Sequence, residues 1–167
     1  MNKSDTRKHY NSYFVMYTIL FAALSILFFY GFWKAKLSFV WNVDGRTQHI
    51  HALQFYSDWL QQIAKNILFK HKLEIPLWSF SIGYGSDIIT TLHYYVIGDP
   101  LNLCAAFVPV RYTEYLYDFL CFFRYYLAGI TFSWYCFYNK NEKIPVLLGS
   151  LIYVYSQWMI VTGLDHP

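Results

Sequence analysis

Charged residues are scarce in this chain of 167 residues, of which only 14% are Asp, Glu, Lys or Arg. A soluble domain carries about 25% charged residues, so the composition argues against a protein that is kept dispersed by its own surface. The net charge is only +3, and no basic run interleaves with aromatic residues as it does in nucleic-acid-binding proteins. The scarcity of charge excludes these classes and favours a lipid environment.

Cysteine is also scarce, with three residues and no Cys-x-x-Cys spacing, so the sequence predicts neither a zinc ribbon nor a redox motif. Cys121 and Cys136 fall in a predicted spanning segment, where apolar packing is the expected role. His49 and His51 are two positions apart and would point to different helical faces, so they predict no metal site. No cofactor is expected, although the residues leave a divalent metal open.

Aromatic residues, in contrast, make up 23% of the chain. Tyr and Trp favour the boundary between membrane and water, where the ring lies in lipid while the polar atom stays hydrated. The aromatic excess therefore indicates extensive contact with a membrane interface.

Three membrane-spanning helices are predicted, at residues 13–33, 115–138 and 144–164. Two of them rest on long uncharged runs, and the range 115–138 is apolar except for Asp118 and Arg124. The first run, Tyr10–Trp33, is 24 residues long, and about 20 apolar residues suffice to cross the hydrocarbon core. A signal peptide would have an apolar region of only about 7–15 residues before its cleavage site. The first run therefore predicts an uncleaved anchor.

Basic residues predict the orientation of these spans. Lys3, Arg7 and Lys8 precede the first span, and Lys140 and Lys143 lie in the link 139–143. By the positive-inside rule, residues 1–12 and this link are cytoplasmic, which leaves residues 34–114 as a long extracytoplasmic loop. The chain ends directly after the third span, which predicts that it is part of a larger multi-pass protein.

The predicted loop contains two candidate interfacial helices. Leu53, Tyr56 and Leu60 belong to an apolar stripe at helical spacing within residues 47–68, and this stripe faces either the membrane surface or other protein. Asp99 and Pro100 have the chemistry of an N-cap and a first helical residue, so we expect a short helix over 100–108 that dips into the outer leaflet. The predicted fold class is therefore an all-α membrane protein. Gly83 and Gly85 lack the strand and helix of a phosphate loop and predict backbone turns.

Five ionisable residues are candidates for chemistry. Asp44 precedes Gly45, a pair that most often marks a turn, and Asp58, Asp87 and Asp99 are similarly ambiguous between structure and function. Arg124 lies inside a predicted span, where a charge costs about 2.5–3.5 kcal/mol by insertion scales and usually faces a polar interior or a functional path. Its two open interpretations are contact with a lipid phosphate and structural pairing with another helix.

The order of motifs along the chain resembles the N-terminal part of the bacterial YfhO family of large multi-pass membrane proteins. Asp44-Gly45 with Gln48 is followed by the amphipathic helix, by the stretch Trp78–Asp87, by Tyr94-Tyr95 and by Gly98–Asn102. More distantly, this layout is similar to that of GT-C glycosyltransferases, in which an acidic residue of the first outer loop faces a lipid-phosphate sugar donor.

The resemblance implies a membrane glycosyltransferase that moves a sugar from a polyprenyl-phosphate donor to an envelope polymer such as lipoteichoic acid. It implies that Asp44 is the catalytic base, with Asp99 and Asp87 as alternatives. It also implies substrate contacts from Arg124, Gln48, Tyr94 and Tyr95. Other readings are a transporter or flippase and a non-catalytic envelope assembly protein. Transporters usually have interrupted spans, and the uninterrupted runs Tyr10–Trp33 and Ile144–Leu164 lack an internal Pro.

Overall fold

The computed structural model describes residues 3–165, and it describes the side chains of residues 11–161 and 163. Lys3, Arg7 and Lys8, on which the predicted orientation depends, lie outside the described side chains, as does Leu164. Helices account for nearly all of the regular structure, so the prediction of an all-α chain is confirmed. The chain divides into two compact units. We call them the bundle unit (Met1–Ser38 and Cys121–Leu164) and the loop unit (Phe39–Leu120).

The bundle unit contains helix α1 (Lys3–Lys34), the larger part of α4 (Thr113–Tyr138), α5 (Lys143–Val154) and α6 (Gln157–Asp165). Every fourth residue of α1 from position 13 to position 29 is buried, because this spacing keeps side chains on one helical face. The buried residues are Tyr13, Tyr17, Phe21, Ser25 and Phe29. This stripe forms the core of the bundle unit.

The buried stripe of α1 is more polar than the surface around it. The Tyr13 hydroxyl lies 2.8 Å from Ser133 Oγ on α4 and 3.2 Å from Ser150 Oγ on α5. Exposed positions of the same helix carry large apolar residues, among them Ile19 and Leu27 at 63% and 72% exposure. Hydroxyls that bond across helices beneath an apolar exterior are typical of helices packed in lipid, where exposed polar groups would be costly.

Within residues 3–165, one helical stretch has both the length and the hydropathy needed to cross a bilayer. It is Asn11–Lys34, with a mean hydropathy of 2.0. The two further spans, 115–138 and 144–164, stay predictions. The first of these ranges lies wholly in α4, which ends in a tight link where Lys140 adopts a φ of 61°.

The prediction of one continuous helix over 144–164 is wrong, because the structure divides this range into α5 and α6. The break is at Tyr155 and Ser156. The Ser156 hydroxyl accepts a hydrogen bond from the Met159 backbone N–H at 3.3 Å, as an N-cap does at the start of a helix. The Tyr155 hydroxyl donates to the Phe21 carbonyl oxygen at 2.7 Å and lies 2.6 Å from Ser25 Oγ, which ties the break to α1.

The loop unit is built around helix α2 (Ile50–Lys70), which a π-helical turn (Gly45–His49) precedes. Leu53 and Tyr56 are each only 3% exposed, so the first half of the predicted apolar stripe packs on protein. The neighbouring 3₁₀ helix (Pro100–Phe107) is part of that packing, and the buried Ser57 hydroxyl donates to its Ala105 carbonyl oxygen at 3.1 Å. The short helix expected over 100–108 is therefore present in 3₁₀ form. Whether it enters the outer leaflet stays a prediction.

The remaining elements of the loop unit are short. Strands β1 (Trp78–Ser79) and β2 (Ser86–Asp87) form an antiparallel hairpin that leads into α3 (Ile88–Leu92) and a second π-helical turn (His93–Ile97). A 3₁₀ turn (Val110–Tyr112) precedes α4. Gly83 and Gly85 adopt φ values of 57° and 113°, so the prediction of backbone turns at these glycines is confirmed.

Candidate functional site

Two π-helical turns carry four of the residues that the sequence singled out. Asp44 and Gln48 belong to the turn before α2, and Tyr94 and Tyr95 belong to the turn after α3. In the first turn, the Arg46 N–H donates to the Trp41 carbonyl oxygen at 2.7 Å, which is the five-residue spacing of a π-helix. Asp44 therefore starts a helical segment, and the expected Asp-Gly turn is not formed.

Gly45 allows the first π turn to pack tightly. A Cβ at this position would lie 3.0 Å from Trp41 Cβ and 3.3 Å from the Tyr117 hydroxyl oxygen. In the second turn, the Gly98 N–H donates to the His93 carbonyl oxygen at 2.9 Å, again across five residues. Single π turns are rare in proteins, and those that do occur are often found at functional sites.

The two π turns are joined by a chain of side-chain hydrogen bonds. The Tyr95 hydroxyl donates to Gln48 Oε1 at 2.7 Å, and Gln48 Nε2 donates to Asp44 Oδ1 at 3.0 Å. We call Asp44, Gln48 and Tyr95 the Asp44 chain. Because the Tyr95 hydroxyl fixes the amide oxygen of Gln48, the amide nitrogen is directed at the carboxylate. The chain therefore orients Asp44 without neutralising its charge.

Aromatic rings surround the far end of the Asp44 chain. The Tyr95 ring meets the buried His49 ring edge to face, with centroids 5.4 Å apart, and Tyr94 meets Tyr95 in the same manner at 5.3 Å. Sequence reasoning weighed His49 only as a metal ligand and missed this packing role. The position of His49 directly after Gln48 could have indicated this role, because the two residues belong to the same π turn.

Asp87 has a structural role in the loop unit. Its Oδ1 accepts hydrogen bonds from the Thr90 hydroxyl and from the Thr90 backbone N–H, the latter at 2.7 Å, so it is the N-cap of α3. The hydrogen bond from the Thr90 side chain, followed by the one from its backbone, lowers the pKa of the Asp87 carboxyl below its usual range. A carboxylate stabilised in this way is a weaker base than an ordinary aspartate.

Asp99 also caps a helix. Its Oδ1 accepts a hydrogen bond from the Leu101 N–H at 2.8 Å, and Pro100 occupies the start of the 3₁₀ helix, so the predicted cap is confirmed. Both alternative catalytic acids are thus bonded to their own backbone. The Asp44 carboxylate accepts a hydrogen bond from the Gln48 side chain, as Asp58 does from Gln62.

Arg124 lies on α4 in the bundle unit and is partly buried. Asp118, one of the two charges in the predicted second span, belongs to the loop unit instead. Its Oδ1 accepts a hydrogen bond from the Phe39 N–H at 2.8 Å. The structure thus brings together Asp44, Gln48, Tyr94 and Tyr95 in the loop unit, and it places Arg124 in the other unit.

Metal-ligating side chains are not clustered in the part of the chain that the structure describes. Among those residues, no three His, Cys, Asp or Glu side chains are placed to hold one ion. The described cysteines are not joined in disulfides, and Cys121 is buried whereas Cys104 is exposed. The Asp44 chain therefore offers one oriented carboxylate, which the Gln48 amide links to a tyrosine hydroxyl.

The apolar helix Asn11–Lys34 and the inward-facing hydroxyls of the bundle unit define a helical membrane protein. The family model described as "Bacterial membrane protein YfhO" matches residues 16–165, which is most of the chain. The chain therefore belongs to the YfhO family of bacterial membrane proteins, as its motifs predicted. No curated protein and no solved structure showed significant similarity to it.

Proposed function

We propose that the protein takes part in glycosyl transfer at the outer face of the cell membrane, with Asp44 as the general base. The donor is a sugar linked to polyprenyl phosphate, and the acceptor is a hydroxyl of an envelope polymer such as lipoteichoic acid. The observation that carries the proposal is the Asp44 chain, because it presents a carboxylate oriented by side chains of two π turns. Membership of the YfhO family and the apolar helix α1 support a membrane-bound donor.

The proposed reaction needs one base and one cation. The acceptor hydroxyl oxygen forms a bond to the anomeric carbon of the donor sugar while the bond from that carbon to the phosphate oxygen breaks. Asp44 takes the proton of the acceptor hydroxyl, and the polyprenyl phosphate leaves with the bonding electron pair. The departing phosphate needs a cation, and the resemblance implies Arg124 as a substrate contact of this kind, since a guanidinium matches phosphate geometry. Gln48 and Tyr95 position Asp44, and Tyr94 adds an exposed ring beside them.

The proposal includes a topology of three spans with a cytoplasmic N-terminus. The basic residues Lys140 and Lys143 support a cytoplasmic link between the second and third spans. Residues 34–114 would then face outward, where a lipid-linked donor and a wall polymer can meet. The break between α5 and α6 falls inside the third proposed span, where the Tyr155 and Ser156 N–H groups donate to the Leu151 and Tyr153 carbonyl oxygens.

That same break favours transport as the second candidate function. Transporters place substrates at interrupted helices near the membrane midplane, and the range 144–164 is interrupted at Tyr155–Ser156. The absence of Pro from this run had counted against a transporter, so the structure weakens that argument. A non-catalytic role in envelope assembly is the third candidate.

The deciding experiment measures incorporation of labelled sugar from a polyprenyl-phosphate donor into envelope polymer, normalised to the amount of protein in the membrane. Asp44→Asn keeps the size and hydrogen bonding of the side chain but removes its basicity. General-base assistance is worth about 10²–10⁴-fold, so transfer should fall by that factor. The matched control is Glu74→Gln, which neutralises an exposed acid of the same unit.

Three outcomes separate the candidates. Wild-type transfer by Asp44→Asn would remove Asp44 from the mechanism. If Asp99→Asn alone abolished transfer, the base would be at the start of the 3₁₀ helix. Unchanged transfer in Asp44→Asn, Asp87→Asn and Asp99→Asn would favour transport or assembly over catalysis.

The topology is tested by single cysteines in a variant without Cys104, Cys121 and Cys136. A cysteine at the fully exposed Tyr84 should react with a membrane-impermeant thiol reagent applied to intact cells, and a cysteine at Asn141 should not. Ser57 is unsuitable as a reporter because it is completely buried. Labelling at Asn141 would reverse the proposed orientation.

A further inference from the structure

A cleft of about 230 Å³ lies between the middle of α2 and the β1–β2 hairpin. Pockets for drug-sized ligands usually measure about 300–1,000 Å³, so this cleft suits a small ligand such as one sugar ring. Its lining combines aromatic and polar side chains, among them Asp58, Trp59, Gln62, Trp78, Ser79 and Ser81. We call it the Trp78 cleft. None of these residues belongs to the Asp44 chain.

The aromatic walls of the Trp78 cleft are held rigidly. The Trp59 indole N–H donates to the Pro76 carbonyl oxygen at 2.9 Å, which fixes a mostly buried ring. Trp78 is paired with Asp87 across the hairpin, and its ring lies against Gly85, where a Cβ would come within 3.2 Å of it. Even so, 56% of Trp78 is exposed. An accessible indole that lies against the hairpin backbone is a suitable platform for the apolar C–H face of a sugar, because its large flat ring offers contact area with few rotatable bonds.

The polar groups of the cleft match the hydroxyl edge of a sugar. Asp58 Oδ2 accepts a hydrogen bond from Gln62 Nε2 at 2.7 Å, which orients both side chains. Asp58 Oδ1 and Gln62 Oε1 do not take part in this bond. A carboxylate accepts strong hydrogen bonds from hydroxyl donors. Ser79 and Ser81 lie on the opposite wall and can both donate and accept.

Charge decides between neutral and anionic ligands. The described residues that line the Trp78 cleft include Asp58 but no lysine or arginine, and phosphate sites in proteins rely on such cations. We propose that the Trp78 cleft binds one neutral sugar unit, stacked on Trp78 and hydrogen-bonded to Asp58, and that it rejects phosphorylated sugars. The cleft is then a carbohydrate-binding site separate from the Asp44 chain, and its existence does not depend on Asp44 being a base.

The test uses the whole chain in lipid nanodiscs and measures saturation transfer to dissolved sugars by NMR. The probes are methyl glucoside, methyl galactoside and N-acetylglucosamine, with glucose phosphate as the charged comparison. At least one neutral probe should bind saturably, and glucose phosphate should bind more weakly than glucoside. Asp58→Asn should weaken binding about tenfold or more, because a hydrogen bond to a charged group is replaced by one to a neutral amide.

Trp78→Leu removes the platform and should weaken binding about threefold to tenfold, whereas Trp78→Phe should retain most of it. Both variants remove the indole, but only Trp78→Phe keeps an aromatic ring. A difference between them therefore reports the stacking surface rather than loss of the hairpin. The matched controls are Glu74→Gln and Tyr84→Leu, an exposed acid and an exposed hairpin aromatic that do not line the cleft.

Three results would overturn the proposal. They are no saturable binding of any neutral probe, equal binding of glucose phosphate, and unchanged binding in both Asp58→Asn and Trp78→Leu. Binding that is lost in Asp44→Asn but kept in Asp58→Asn would assign the sugar to the Asp44 chain instead. Because binding is measured without turnover, failure here leaves the transfer assay of the proposed function unaffected.

Discussion

The bundle unit and the loop unit differ in which polar side chains they carry and where these lie. In the bundle unit, hydroxyls such as those of Tyr13 and Ser150 are buried and bond to one another, while the exposed faces are apolar. The loop unit also buries the Ser57 hydroxyl, but it carries partly exposed carboxylates, of which Asp87 and Asp99 cap helices and Asp44 accepts a hydrogen bond from a glutamine side chain. Buried hydroxyls hold helices together, whereas accessible carboxylates can exchange protons. Among the described residues, proton chemistry is therefore better served by the loop unit.

The largest effect on stability should come from filling the tight packing of the bundle unit. A Cβ at Gly129 would collide with the Tyr17 hydroxyl and would lie 2.9 Å from Val154 Cγ2. Gly129→Val should therefore cost at least about 1–3 kcal/mol, as overpacking does, and reduce the amount of folded protein in membranes.

Gly31→Ala is the control for Gly129→Val, because nothing lies within 4 Å of the Cβ that it adds. Thermal unfolding in detergent should separate the two variants clearly. Equal stability would mean that the close contact between α1 and α4 is not present in the membrane.

A second test compares the two ends of α2 within the loop unit. Leu53 is 3% exposed and Phe69 is 80% exposed. Leu53→Ala should destabilise the protein by about 2–5 kcal/mol because it leaves a cavity in a packed core. Phe69→Ala should change the free energy of unfolding by less than about 0.5 kcal/mol, as surface substitutions do.

The same pair tests whether the C-terminal end of α2, beyond the predicted apolar stripe, contacts lipid or protein. If Phe69 contacts lipid, its replacement should reduce labelling of this region by a photoreactive lipid while folding is retained. Equal destabilisation by both variants would show that protein covers both ends of α2.

The smallest effect concerns the charge of the Asp87 cap. Its pKa is lowered in the folded protein, so its ionised form stabilises the fold above the unfolded pKa of about 3.9, and this contribution is lost as the pH falls through the folded pKa. Asp87→Asn keeps a good N-cap but has no proton to gain. The unfolding temperature of the variant should be slightly below that of the wild type at about pH 7, and the difference should shrink as the pH falls below about 3.9. A difference that persists in acid would assign the effect to shape rather than charge.

Local chemistry predicted the local features of this fold. The Asp99 cap, the Pro100 helix start and the turns at Gly83 and Gly85 follow from the preferences of single residues, and all are present. The first span follows from composition alone. These features depend on few neighbours, so the sequence carries them directly.

Features that depend on distant partners were missed. The break at Tyr155 lies in a run that reads as one helix, because the hydroxyl that ties it to Phe21 acts across 134 residues. Only the family resemblance grouped the residues of the Asp44 chain, because Tyr95 is 47 residues from Gln48 and no local pattern connects them. The Asp-Gly pair suggested a turn because the close approach of Gly45 to Trp41 and Tyr117 is a tertiary contact.

The two π turns make the reach of Gln48 depend on helical register. A π turn holds one residue more than the α-helical turn that it replaces, and each residue of an α-helix advances the side chain by about 100° around the axis. Converting Gly45–His49 to regular α-helix would rotate Gln48 away from Tyr95 relative to the fixed body of α2. The alignment of Asp44 thus depends on whether this turn is π-helical or α-helical. A single residue inserted into the turn or deleted from it would break the hydrogen bond between Gln48 and Tyr95, although all three residues of the Asp44 chain would still be present.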